Sequence, residues 1–391
     1  MLDGKRDEHV FDRHIQNSDD LKAFLNHAIR TQVSDVFIQA GKRIRGQVHG
    51  RLVFLTRYSV QIDQMNLLLR LVIGSDEIRT ALAAQRDYDA AFSIPDETET
   101  DGHGVAKKHR FRLNATAVFN VGADGGQVVL RHIPSEPPLL SAIGFPEHLI
   151  PEFTLQQGAF IIAGETGSGK TTTFAGCIRY VLTNDTPIKG NIVTYESPVE
   201  YLFTGIESDH CIIAQSEIPR HLPTFEDGVR NAMRRKPALV VIGEMRDAET
   251  IQAAVEASNT GHPVFGTVHA SHSGMIIQRM VQRYPSYAQH QAFTDIVQIN
   301  RLLMSQTLVP RVGGGRVCLR DWIIITPDRQ EELLAAGYEG HAKLMKEWMQ
   351  NGDHAQDMLT TISKEFIAGT IDEVTRDEAL KRYGGIVTTR S

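Results

Sequence analysis

Gly164-Glu165-Thr166-Gly167-Ser168-Gly169-Lys170-Thr171 is a complete loop of the form G-x-x-x-x-G-K-T. The apolar stretch Phe160-Ile161-Ile162-Ala163 leads into it, and a helical pattern beginning at Lys170 and carrying Thr172 leaves it. Glycines let backbone N–H groups curl around a phosphate chain, and the helix N-terminus adds partial positive charge. Lys170 is placed to reach the β- and γ-phosphates, and Thr171 to hold Mg²⁺. By composition a chance match is on the order of 1% in a chain of this length, before the flanking strand and helix are counted. The expected ligands are therefore ATP and Mg²⁺.

Hydrolysis also needs acidic groups to hold the metal shell and to activate water. The apolar run Leu239-Val240-Val241-Ile242 ends in Gly243-Glu244, so a glutamate stands where an aspartate is usual. A second acidic constellation, Tyr195-Glu196-Ser197-Pro198-Val199-Glu200, follows another apolar strand. Either can hold Mg²⁺ or polarise the attacking water. One carboxylate at a strand end is ordinarily just solvated. Glu196, Glu200 and Glu244 together at strand ends of one P-loop sheet favour function. His262 and His269 bracket a further apolar strand, and only His269 falls on its C-terminal side. A histidine there is more often structural than catalytic, and no neighbouring ligand pattern suggests a metal. The basic run Arg234-Arg235-Lys236 reads as a solvated face, with one member able to reach a phosphate.

These residues need a scaffold of buried parallel strands. Ala159 to Ala163, Asn191 to Tyr195, Ala238 to Ile242 and Pro263 to Val268 are short apolar runs without alternation, as in a sheet covered on both faces. Lys170 to Leu182 and Asp247 to Asn259 read as intervening helices, the second capped by Asp247 and followed by Gly261. Thr307 to Val312 and Arg316 to Thr326 read as strands joined by Gly313-Gly314-Gly315. The chain is helical from about Asp328. Ahead of this lies a mixed α+β region, residues 1–133. It has a helix from a Ser18 cap, helices over Asp63 to Ile73 and Ser75 to Gln85, and alternating strand patterns. Its strands are expected at Asp35 to Gln39, Gln47 to Leu55, Tyr88 to Ile94, Arg110 to Phe119 and Gln127 to Ile133. Asp96 to Lys108 reads as a mobile hairpin loop. Between the two regions, Pro134, Pro137, Pro138, Pro146 and Pro151 account for five of 15 prolines. That density suggests a stiff extended linker over 134–150, with the P-loop domain at 151–391.

GETGSGKT, TYESPVEY, VVIGEMRDAET and TGHPVFGTVHAS, in this order, resemble the ATPase superfamily of type II secretion, type IV pili and type IV secretion. The resemblance implies a PAS-like N-terminal domain and a RecA-like ATPase domain. It makes Lys170 and Thr171 the phosphate and Mg²⁺ groups, Glu200 the group that orients or activates water, and Glu244 the Walker B carboxylate. His262 and His269 become the His-box pair. Arg110 and Arg112 in RFRLNA, and Arg131 in RHIP, match arginine-bearing strands that supply charge to the γ-phosphate. A homohexamer is implied. Ser197 departs from the usual aspartate of its block. The four-cysteine module of the pilus-assembly and type II branches is absent from a chain with three cysteines (Cys177, Cys211 and Cys318). Gln215 to Pro223 and Asp227 to Pro237 resemble the DotB/TraJ-type ATPases of type IVB (Dot/Icm-like) secretion and I-type plasmid conjugation.

Composition bounds the alternatives. With 391 residues, 41 Lys+Arg and 47 Asp+Glu, the chain carries a net charge of −6, which argues against stable direct nucleic-acid binding. No apolar run spans a bilayer and the N-terminus has no signal-peptide core, so a cytoplasmic protein is expected, peripheral at the inner membrane when docked on its secretion or conjugation complex. A pilus-retraction motor, a P-loop small-molecule kinase and a non-hydrolysing nucleotide-binding scaffold are the competing readings.

Overall fold

The computed structural model describes residues 8–48, 50–100, 106–120, 123–133, 136–352 and 354–385. It divides into two compact units, Met1–Ser135 and Glu136–Ser391.

The first unit runs α1 (Ser18–Arg30), β1 (Asp35–Gln39), β2 (Arg43–Val48), β3 (Arg51–Ser59), α2 (Ile62–Ile73), α3 (Glu77–Ala83), β4 (Tyr88–Thr100), β5 (Ala106–Asn120) and β6 (Ala123–Ile133). The strands form one antiparallel sheet in the order β3-β2-β1-β6-β5-β4. Leu21, Phe24, Leu25 and Ala28 recur at helical spacing on α1. They join Leu68 and Leu69 of α2 in a core with Phe111, Leu113, Val128 and Leu130 of the sheet. The cap of α1 is Asn17 rather than Ser18. Its Oδ1 accepts the N–H groups of both Asp19 and Asp20 at 2.9 Å. Most of the expected loop from Asp96 to Lys108 is strand, since β4 runs on to Thr100 and β5 starts at Ala106. Residues 101–105 lie outside the described part.

The second unit contains α4 (Ile150–Phe153), β7 (Gly158–Ala163), α5 (Lys170–Thr183), β8 (Gly190–Glu196), β9 (Cys211–Glu217), α6 (Phe225–Ala232), β10 (Pro237–Ile242), α7 (Ala248–Asn259), β11 (Pro263–Val268), α8 (Ile276–Val281) and α9 (Gln289–Ile299). It continues with β12 (Asn300–Pro310), β13 (Arg316–Ile324), α10 (Pro327–Asn351), β14 (Ala355–Gln356), α11 (Met358–Ile367) and α12 (Glu373–Arg382). Its eight-stranded sheet has the order β14-β13-β12-β7-β11-β10-β8-β9. The strands from β12 to β9 are parallel, and β13 and β14 are antiparallel additions. Alternate residues of β7 feed opposite faces. Phe160 and Ile162 pack with α5 through Phe174, whose ring stacks on Phe265 at 5.3 Å. Ile161 and Ala163 pack with α7, α8 and α9 through Ile251, Ile277 and Phe293. Both faces of the sheet are therefore dry, which is why these strands read as unbroken apolar runs.

Residues 136–150 are not the extended spacer that their prolines suggested. Leu140, Phe145 and Leu149 are buried in the same core as Phe160 and Phe174. Arg320 donates to the carbonyls of Gly144 at 2.9 Å and Ile143 at 3.0 Å, and Arg179 donates to Pro137 O. A Cβ on Gly176 of α5 would stand 3.2 Å from both Ile143 and Leu140, so the segment lies directly on that helix. Proline excluded regular structure here without excluding burial. Pro134 lies outside the described residues. No helix of the described residues is long and apolar enough to cross a membrane.

Candidate active site at the C-terminal edge of the parallel sheet

Strand register decides which residues meet. Ala163 of β7 lies beside Ser305 of β12 and Val268 of β11. Ile242 of β10 pairs with Gly266 and with Tyr195 of β8, and Glu196 pairs with Glu217 of β9. The next residues in each strand thus emerge along one edge: the P-loop, Gln306, His269, Glu244 and the segment carrying Glu200. A ligand crevice at the carboxyl ends of strands is the general arrangement of open α/β sheets.

The P-loop needs its glycines for two reasons. Gly164, Gly167 and Gly169 have φ of 148°, 81° and 88°, a region that side chains disfavour. A Cβ on Gly164 would also stand 2.5 Å from Gln306 O. Gln306 is buried and braces the loop from behind. Its Nε2 donates to Ser168 O at 2.8 Å, and its Oε1 accepts from Thr173 Oγ1 at 2.9 Å. Lys170 Nζ donates to Gly164 O at 2.8 Å and Glu165 O at 2.9 Å. Thr171 and Thr172 occupy the first turn of α5, and Thr172 Oγ1 lies 3.1 Å from Tyr201 OH. Arg382 of α12 forms an ion pair with the Glu165 carboxylate. Thr166 completes the loop between them.

The three carboxylates sit in different surroundings. Burial lowers the Lys170 pKa, while the charges of Glu244, Glu200 and Glu165 pull it back up, so all three act on the ammonium. Burial raises the Glu196 pKa, and the Glu200 charge adds to that rise. Hydrogen bonds from Thr194 Oγ1 (2.6 Å), Gln215 Nε2 (3.1 Å) and the Glu200 N–H oppose it. Burial also works to raise the Glu244 pKa, but its partners outweigh burial and hold the carboxyl below its usual range. Arg246 donates to Glu244 Oε2 at 2.6 Å, and His269 Nε2 lies 3.0 Å from Oε1. Glu244 is thereby fixed at both oxygens. Among the described residues no side chain or N–H engages the Glu200 carboxylate.

Two candidate groups stand apart from this edge within the subunit. His262 stands at the opposite end of β11 from His269, roughly 20 Å away at about 3.3 Å per residue. Its Nδ1 lies 3.1 Å from Thr260 Oγ1 and 3.2 Å from Ala257 O, closing the turn after α7. It is not part of the cluster around Lys170. Arg234, Arg235 and Lys236 likewise precede β10 at its N-terminal end, where Arg235 O accepts from Asn191 Nδ2 at 3.0 Å. They cannot reach the P-loop of their own subunit.

In the first unit Arg112 pairs directly with Arg131 across β5 and β6. Phe111 and Leu113 point into the core, so Arg110 and Arg112 lie on the other face. Arg131 Nε donates to the buried Asp35 at 2.7 Å. Sequence reasoning assigned no role to Gln306, Arg246 or Arg382. Gln306 lay outside the strand expected from Thr307 and gave no signal, since it stands among the polar residues Ser305 and Thr307. Arg246 lies two residues after Glu244, and only the fold shows that its side chain turns back.

A nucleotide-binding sheet edge of this construction defines the class, a P-loop ATPase with an N-terminal mixed α+β unit. The family model described as "Type II/IV secretion system protein" matches residues 13–366, and the chain belongs to that family of secretion ATPases. It is similar to the crystal structure of the Legionella pneumophila ATPase DotB, at 33% identity and a TM-score of 0.84, covering 95% of this chain and 99% of that one. The Yersinia pseudotuberculosis ATPase DotB is similar at 30% identity and 0.87, covering 94% and 95%. The pilus retraction motor PilT with bound ADP is similar at 30% identity and 0.75, covering 92% and 96%. The small-molecule kinase reading falls away with this membership.

Proposed function

We propose that the chain is a ring-forming motor ATPase that energises a type IVB secretion or conjugal transfer apparatus. The observation that carries this reading is the match to both DotB ATPases over nearly their whole length. A pilus-retraction motor is the second reading, favoured by the likeness to PilT. Deleting the gene in its host separates them. Loss of effector export or plasmid transfer with normal twitching supports the first, and loss of twitching alone overturns it.

In the proposed cycle Lys170 binds the β- and γ-phosphates of ATP, aided by the N–H groups from Gly164 to Thr172. Oxygen donors suit a hard cation, so Thr171 and Glu244 fit Mg²⁺. Both Glu244 oxygens already have partners, Arg246 and His269, which would orient the carboxylate toward such an ion. Glu200, whose charge acts on Lys170 and whose carboxylate has no partner among the described residues, orients and deprotonates the attacking water. His269 keeps Glu244 in place. The first unit's arginines complete the site in a self-assembled homohexamer docked on the cytoplasmic face of a membrane complex, and hydrolysis moves one unit against the other. Asp35 already holds Arg131, which leaves Arg112 as the better source of charge for the transition state, with Arg110 on the same face. Arg112→Ala should keep ATP affinity and ring formation yet slow turnover by about 10³-fold or more. Parental turnover by this variant in native-mass-spectrometry rings would remove the first unit from the site.

A further inference from the structure

The segment from Ser197 to Phe203 carries Glu200 but belongs to no strand ladder, so something else must hold it. The holders are side chains of the edge strand β9, which periodicity alone had not revealed. Gln215 and Glu217 are two apart, hence on one face. Gln215 Oε1 accepts the Phe203 N–H at 3.2 Å, and its Nε2 donates to Tyr201 O at 2.8 Å and Glu196 Oε1 at 3.1 Å. Glu217 Oε2 accepts the Val199 N–H at 3.2 Å. The Glu200 N–H itself bonds to the Glu196 carboxylate that Gln215 holds. The clasps therefore bracket Glu200 at residues 199, 201 and 203. Tyr201, whose carbonyl Gln215 holds, also reaches Thr172 of the P-loop helix through its hydroxyl.

We propose that Gln215 is the positioning residue that sets Glu200 relative to the P-loop. Only a primary amide fits all three bonds, because two donors and one acceptor are used at once. A glutamate there offers no donor and sets a second charge against Glu196. The inference rests on Glu200 being the group that activates water. A small displacement of such a group is felt in turnover rather than in nucleotide binding.

The test uses the full-length chain with Gln215→Met, which keeps length without hydrogen bonding, and Gln215→Glu, which keeps shape. Affinity for a fluorescent ATP analogue should stay within about twofold, while kcat falls about 10- to 100-fold in Gln215→Met and at least as far in Gln215→Glu. Combined with Glu200→Gln, Gln215→Met should cost nothing further, since it acts through a group already disabled. Parental kcat in both folded variants overturns the proposal. So does a loss of affinity equal to the loss of rate, which marks a mere structural staple, and so does a multiplicative loss in the double variant. Parental hydrolysis by Glu200→Gln alone removes the role of Glu200 itself, a failure distinct from slow Glu200→Gln with fast Gln215 variants.

Discussion

The two ends of the parallel sheet use the same residue types for opposite purposes, and β11 shows it within one strand. At its C-terminal end His269 meets Glu244 at 3.0 Å, among groups whose charges bear on Lys170. At its N-terminal end His262 meets a threonine hydroxyl and a backbone carbonyl, with no charged partner among the described residues. The same holds for cations. Lys170 is drawn into the loop at one end, while Arg235 at the other contributes a carbonyl to Asn191. Parallel strands make the two ends chemically unequal, because every strand delivers its following loop to the same edge. One edge collects the groups that loops can offer, and the other closes helix C-termini.

Several substitutions break or sharpen this contrast. The largest effect belongs to Lys170→Ala, which removes the cation placed by the loop. Hydrolysis should fall below detection, and ATP-analogue affinity should drop about 100-fold or more in an equilibrium titration. Glu200→Gln comes next. Turnover should fall by about 10²- to 10⁴-fold with binding retained, as single-turnover assays beside the same titration would read. Parental hydrolysis would move the base to another carboxylate of that edge, with Glu244 first in line. The paired histidines give the sharpest contrast at smaller magnitude. His269→Ala releases one oxygen of Glu244 and should slow kcat by about tenfold. His262→Ala should leave kcat within about twofold and cost only about 1 kcal/mol, read by denaturant titration. A slower His262→Ala than His269→Ala would end the distinction between the two edges.

Glu196 and Glu200 differ in the same instructive way on a smaller scale. Four residues apart in sequence, they are separated by the chain leaving β8. Glu196 is consumed by Thr194, Gln215 and the Glu200 N–H. The Glu200 carboxylate has no such partner among the described residues, and its charge acts on Lys170. The acidic block was legible as a block, but the different surroundings of its two carboxylates were not.

What the sequence by itself determined is local in origin. The P-loop, its entering strand and its leaving helix depend on glycine φ angles, a strand propensity and a helix start, all within a dozen residues. The Asp247 cap, with Oδ1 2.8 Å from the Thr250 N–H, is equally short-range. The buried parallel character of the central strands followed from apolar runs without alternation, whereas their order in the sheet came only with the fold. Tertiary structure decided the rest, because it depended on which distant segments became neighbours. Residues 136–150 became part of a core only once α5 offered Gly176 as a seat. The strand β9 took its place by pairing with β8, against a mixed sequence with no strong period. Gln306, Gln215 and Arg382 acquired their partners from segments far along the chain. A side chain's type is written in its codon, but its partner is chosen by strand register and packing, and the chemistry of this edge lies in the partners.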